Sequence, residues 1–166
     1  MKPKIHSGHI EVAVANLFGY RQHLIVPNVS WGWDLRHEAD LIIVNPSNKV
    51  TEVEIKISIA DLKADFKKQN GHGSKKIGRL YYAFPVDMLE KALPLIPINC
   101  GIITVKTIDP EYDNGVPRFR ADFYRIIKYD KNIAPITDMQ RIKLGDLGCM
   151  RIWSLKDSLY KKLANA

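Results

Sequence analysis

A chain of 166 residues, 46% of them hydrophobic, is long enough to bury one real core and too apolar to remain disordered. Its formal charge of +7 favours a polyanionic partner such as nucleic acid, although surface lysines that only keep a protein soluble give the same total. No window holds the ~18 apolar residues of a membrane span. The opening MKPKIHSGHIEVAV lacks the long apolar core of a signal peptide. Cys100 and Cys149 lack metal-site spacing, so a cytoplasmic protein with free thiols and no membrane partner is expected.

Taken in chain order, Ser7 can cap a helix with apolar positions Ile10, Val12, Val14, Leu17 and Phe18, ended by Gly19. A short strand, His23–Val26, stops at Pro27, and 27–36 reads as loop. Ala39–Val44 is a strand, 45–49 (NPSNK) a turn, and Val50–Ile57 the next strand. Ser58 caps a helix over 59–69 with Ile59, Leu62 and Phe66 on one face. The loop QNGHGSKK leads to a strand, Arg79–Phe84, stopped by Pro85. A helix follows at 86–93, then strands at 101–106 and 120–129, with a turn region at 109–117 between them. Residues 137–163 are mostly helical. Helices alternate with strands, which predicts one α/β layered domain over 1–166 around a mixed sheet.

The strand TEVEIKIS (51–58) carries Glu52, Glu54 and Lys56 on one side and Val53, Ile55 and Ile57 on the other. If 45–49 closes a five-residue hairpin, Val44 pairs with Val50. Asp40 then faces Glu54, and Ile42 faces Glu52, while Leu41, Ala39 and Ile43 face Val53, Ile55 and Thr51. Facing carboxylates repel unless a cation sits between them. A divalent ion would satisfy that demand, with Lys56 about 7 Å beyond Glu54 on the same face, where it could orient or deprotonate a bound water. A solvated sheet face with an ordinary Glu–Lys pair accounts for the same residues.

Asp40, thirteen intervening residues and Glu54-Ile-Lys56 resemble the D…ExK motif of the PD-(D/E)XK nuclease superfamily, with Ala39 in place of the motif's proline. The run RHEADLIIVNPSNKVTEVEIKISIADLKADFKK, with RLYYAFP after it and IVPNVSWG before it, resembles the MmcB-like branch, a DNA-repair or phage-associated group, over residues 6–105. The resemblance implies a restriction-endonuclease-like three-layer core, with a mixed central β-sheet flanked by helices. It implies Mg²⁺, replaceable by Mn²⁺, held by Asp40, Glu54 and the carbonyl of Ile55, with Lys56 as the catalytic lysine. Glu11 of the first helix occupies the place of a further acid that many superfamily members add.

Lys63, Lys67, Lys68, His72, Lys75, Lys76 and Arg79 form a basic stretch directly after the motif and are expected to track DNA phosphates. Asp61 and Asp65 are read as capping and solubilising acids. Trp31 and Trp33 are expected to brace their loop. The C-terminal helix, 137–163, either packs on the core or forms a dimer seam. The expected function is metal-dependent hydrolysis of DNA phosphodiesters, with a homodimer suited to cutting both strands. A DNA-binding module without turnover is the alternative.

Overall fold

A computed structural model describes residues 4–30, 33, 35, 37–66, 74–109 and 113–164. The elements run α1 (Ser7–Phe18), β1 (Leu24–Val29), β2 (Ala39–Val44), β3 (Val50–Ile55), α2 (Ile59–Asp65), β4 (Ile77–Pro85), α3 (Leu89–Ala92), β5 (Gly101–Asp109), β6 (Arg118–Arg125) and α4 (Asp138–Ala164). Short 3₁₀ turns precede α3 and β6.

The six strands lie side by side in chain order. β1–β2, β2–β3 and β5–β6 are antiparallel and β3–β4–β5 parallel, so helices α2 and α3 serve as the crossovers that parallel pairs need. The 45–49 turn sets the register. The side-chain oxygen of Asn45 accepts from the amides of Ser47 and Lys49, and Asn48 takes the left-handed conformation at φ 57°. Val44 then pairs with Val50, Ile43 with Thr51, Ile42 with Glu52 and Leu41 with Val53, as the hairpin reading predicts.

Alternation along the strands sorts three apolar clusters. On one face, Leu41, Ile43, Val53, Ile55, Tyr81, Ala83, Ile103 and Val105 pack under Ile10, Ala13 and Val14 of α1. On the other face, Ile42, Val44, Val50, Val26 and Trp33 pack with Leu144 of α4. Tyr82, Phe84 and Ile102 pack, further along that face, with Leu62 of α2 and Ala92 of α3. The result is a three-layer α/β fold of mixed sheet between helices.

Some element boundaries differ from expectation. His6, not Ser7, caps α1, and Val12 is solvent-exposed on its outer side. β1 runs through Pro27 to Val29, because β1 is an edge strand and a missing backbone donor is tolerated there. Trp33 is buried, and its indole Nε1 donates to the carbonyl of Gln140 at 3.0 Å, which holds this residue against α4. Trp31 lies outside the described residues.

Candidate metal centre

β3 is an inner strand, and on the α2–α3–α4 side of the sheet it carries Val50, Glu52, Glu54 and Lys56 in succession. This side is covered at both ends by apolar clusters, so the charged row falls in the gap between them. Glu52, Glu54 and Lys56 are 0%, 1% and 4% exposed. The solvated-face reading is therefore overturned: both faces of β3 are buried, and every residue from Val50 to Lys56 is enclosed. Charges at such depth persist only if paired.

Pairing is extensive. The Lys56 backbone amide donates to the carbonyl of Ala83 at 2.9 Å, which carries the β3–β4 ladder one residue past the strand end. Its Nζ donates to Glu54 Oε2 at 2.7 Å and to Asp65 Oδ1 at 3.1 Å. The Tyr82 hydroxyl donates to the other Asp65 oxygen at 3.3 Å. Asp65 sits in the last turn of α2, four residues after Asp61, on the side that faces the sheet. It is buried, which corrects its reading as a solubilising acid; Asp61, by contrast, does cap, its carboxylate accepting from the amide of Ile57.

Continuing the β2–β3 register by one step sets Asp40 across from Glu54. Asp40 Oδ2 accepts from the backbone amide of Ile55 at 2.7 Å, so its carboxylate is fixed at the end of the hairpin. Glu11 approaches Asp40 from α1. Burial first, and then the Asp40 charge, raises the Glu11 carboxyl above its ordinary value. Burial pushes the Glu54 carboxyl up to about 7. Lys56 opposes that rise, and the charges of Asp40 and Glu52 add to it. For Lys56, burial alone would lower the ammonium's pKa, but Glu54 and Asp65 outweigh it and raise the value. Tyr82 is raised by burial and by Asp65. Four carboxyl groups, Glu11, Asp40, Glu52 and Glu54, thus crowd one another, and the buried Lys56 ammonium offsets part of their charge.

On the hairpin's other flank, His37 Nε2 lies 2.5 Å from Glu52 Oε1. His37, Glu52 and Glu54 each present a ligand atom within 4.8 Å of the others, which is metal-binding spacing. Glu54 thus belongs to a mixed donor group with His37 and Glu52, a set that does not include the Asp40 which the motif resemblance pairs with it. Glu52 was legible from the sequence as a neighbour of Glu54 on the same face. His37 carries no local signal, because only the folded 30–38 segment brings it to β3.

The basic stretch divides. Lys63 and Lys75 are exposed. Lys76 Nζ donates to the carbonyl of Trp33 at 3.1 Å and lies 5.1 Å over that ring. Arg79 Nε donates to Thr51 Oγ1 at 2.8 Å, and its guanidinium stacks 4.1 Å from the Tyr129 ring. These two cations brace the fold. Lys67, Lys68 and His72 lie outside the described residues.

No helix among the described residues is long and apolar enough to cross a membrane. None of the curated proteins matches this chain. A solved structure of a protein of unknown function from Silicibacter pomeroyi is similar at a TM-score of 0.63 and 17% identity, with 95% of this chain and 94% of that chain covered, which speaks to the shared fold alone. The sequence model of a family described as DNA repair protein MmcB-like matches residues 6–122, which take in the whole cluster from Glu11 to Tyr82. That span is well over half of the chain, and the protein belongs to the MmcB-like DNA repair family.

Proposed function

We propose that the protein is a divalent-metal-dependent DNA nuclease of the PD-(D/E)XK type. The observation that carries this reading is the convergence of Asp40, Glu54 and Lys56 at the end of the β2–β3 hairpin, with Glu11 beside Asp40. Membership of a DNA repair family and a charge of +7 supply the substrate class.

The residues fit a hard cation. Asp40, Glu54, Glu11 and the Ile55 carbonyl are all oxygen donors of the kind Mg²⁺ takes, and the nearby His37 nitrogen suits Mn²⁺ as well. The crowding of carboxylates that raises Glu11 and Glu54 is what a bound cation would relieve. When bound, such an ion supplies Lewis-acid polarisation of a phosphodiester and an acidified water.

This chain's own residues do the rest. Asp40 is oriented by the Ile55 amide and presents its carboxylate in one direction. Lys56 is tethered by Asp65 as well as by Glu54, so it stays in place when Glu54 turns to another positive partner. Its ammonium then faces the scissile phosphate and offsets the charge that grows there. Lys63, Lys67, Lys68, His72 and Lys75 follow in the chain and would contact the flanking backbone.

A DNA-binding module without turnover is the second reading. It is favoured by the depth of Lys56, which is shut between two acids as a purely structural cation would be. The deciding experiment incubates the purified protein and Asp40→Ala with Mg²⁺ or Mn²⁺ and supercoiled, linear, single-stranded and branched DNA. Cleavage by the wild type that is lost in the variant is expected. Salt-sensitive binding with no metal-dependent product would establish the second reading instead.

A further inference from the structure

α4 has two different sides, and they serve different ends. Its first half lies on the body through Leu144, Leu147, Gly148 and Arg151. Leu144 is fully buried, Leu147 packs on the same cluster, Gly148 lies against Val26, and the Arg151 guanidinium donates to the carbonyl of Asn28. Followed along the helix, that side continues as Ser154, Leu155, Ser158 and Lys162, all exposed and, Leu155 apart, polar. The body needs no more of the helix than its first half.

A second line runs along α4 roughly a third of a turn away, by the ~100° per residue of an α-helix. It reads Ile142, Gly145, Cys149, Ile152, Lys156, Leu159 and Leu163, with spacings of three and four in strict alternation. That is a heptad seam over three repeats. Its large aliphatic members are more than half exposed, from 54% at Ile152 to 75% at Leu163. Trp153, Leu155 and Tyr160 flank it and are as open. Nothing stands within 4 Å of a Cβ built on Gly145, so the seam is open at that turn.

We propose that α4 pairs with α4 of a second copy of this chain, antiparallel, through this line. The period of 3.5 is what a helix partner requires, since it keeps the stripe facing a neighbour that winds about it. Trp153 and Tyr160 would alone contribute on the order of 300 Å². A standard interface buries ~800 Å² per partner, and these aromatic rings with the exposed aliphatic side chains of the line are the groups that would supply it. Charge sets the direction. In a parallel pair Lys156 would meet its own copy across the seam. In the antiparallel pair Ile142 meets Leu159, Cys149 meets Ile152, and Lys156 crosses over Gly145. There the missing side chain leaves room for the lysine stem, and Asp146 lies beside its ammonium. The body-facing side stays clear of the seam in both copies. This inference does not depend on the nuclease reading.

Sedimentation equilibrium of the full chain at micromolar concentration tests it. A mass of twice 18.9 kDa is expected. Leu159→Lys is expected to be monomeric with its circular dichroism retained, because Leu159 is exposed and belongs to none of the three apolar clusters. A monomeric wild type, or a dimer unmoved by Leu159→Lys, overturns the proposal. Orientation is read by oxidation with diamide in a Cys149→Ser background. Ile142→Cys and Leu159→Cys combined in one chain should give linked dimers, and either alone should not. Linked dimers from either single variant would show a parallel seam and overturn the antiparallel one.

Discussion

Lys56 and Asp65, nine residues apart, meet at 3.1 Å in the interior, with a strand end and a helix end supplying one partner each. The contact ties α2 to β3 at the point where the chain turns between them. Two acids share the one ammonium, so the three residues are not equivalent in what their loss would do.

Lys56→Met removes an ammonium that, among the described residues, bonds both Glu54 and Asp65. Two buried carboxylates are then left facing each other, and the expected cost is about 3–5 kcal/mol of unfolding free energy in metal-free buffer. Urea denaturation checks it. Adding Mn²⁺ should recover part of the loss if the carboxylates then bind the ion. An unchanged midpoint would show that the network is not structural.

Gly101 begins β5 directly over a buried ring. A Cβ built there would lie 2.2 Å from Tyr81 ring atoms, and Tyr81 is itself fully enclosed against Phe18 and Phe123. Gly101→Ala should therefore cost about 3 kcal/mol through overpacking. Gly8, exposed in α1 with nothing within 4 Å, is the control: Gly8→Ala should stabilise by about 0.5–1 kcal/mol. Thermal melts of the two variants should move in opposite directions.

Cys149 is exposed and Cys100 buried, and burial raises the Cys100 thiol above its ordinary 9.0. One fast-reacting thiol, Cys149, is expected in the monomeric Leu159→Lys variant and two after denaturation. The shift also has a stability consequence. The unfolded chain releases the Cys100 proton before the folded chain does, so this group's contribution falls as pH rises through the unfolded value. Cys100→Ala should lessen the decline in the urea midpoint measured between pH 8 and pH 10. Equal native reactivity of both thiols would contradict the burial.

The hairpin and its register were legible because a five-residue turn and a two-residue period leave little freedom once one face is apolar. The pairing of Ile42 with Glu52 followed from residues alone. The depth of the charged row did not, since a strand's own letters cannot say what covers it. Asp65 shows the same limit: four residues after Asp61 on a short helix, it reads as surface until α2 is laid on the sheet. Pro27 misled for a different reason, because whether a proline ends a strand depends on whether the strand has a neighbour on both sides. The approach of His37 to Glu52 had no sequence signal, since the residues around it show no apolar period to read.

The sheet's linear order leaves two open margins, β1 and β6, where a foreign strand could in principle add. One margin is interrupted by Pro27, which offers no donor, and by Asn28 at φ 50°, which breaks the extended path. The other is lined by charged side chains, Arg118 and Arg120, with Arg120 bound to Asp122 at 3.2 Å, and a neighbouring strand would have to desolvate them. Growth by strand addition, the route to fibrils, is thus discouraged at both ends, and the molecule's social surface is left to its helices.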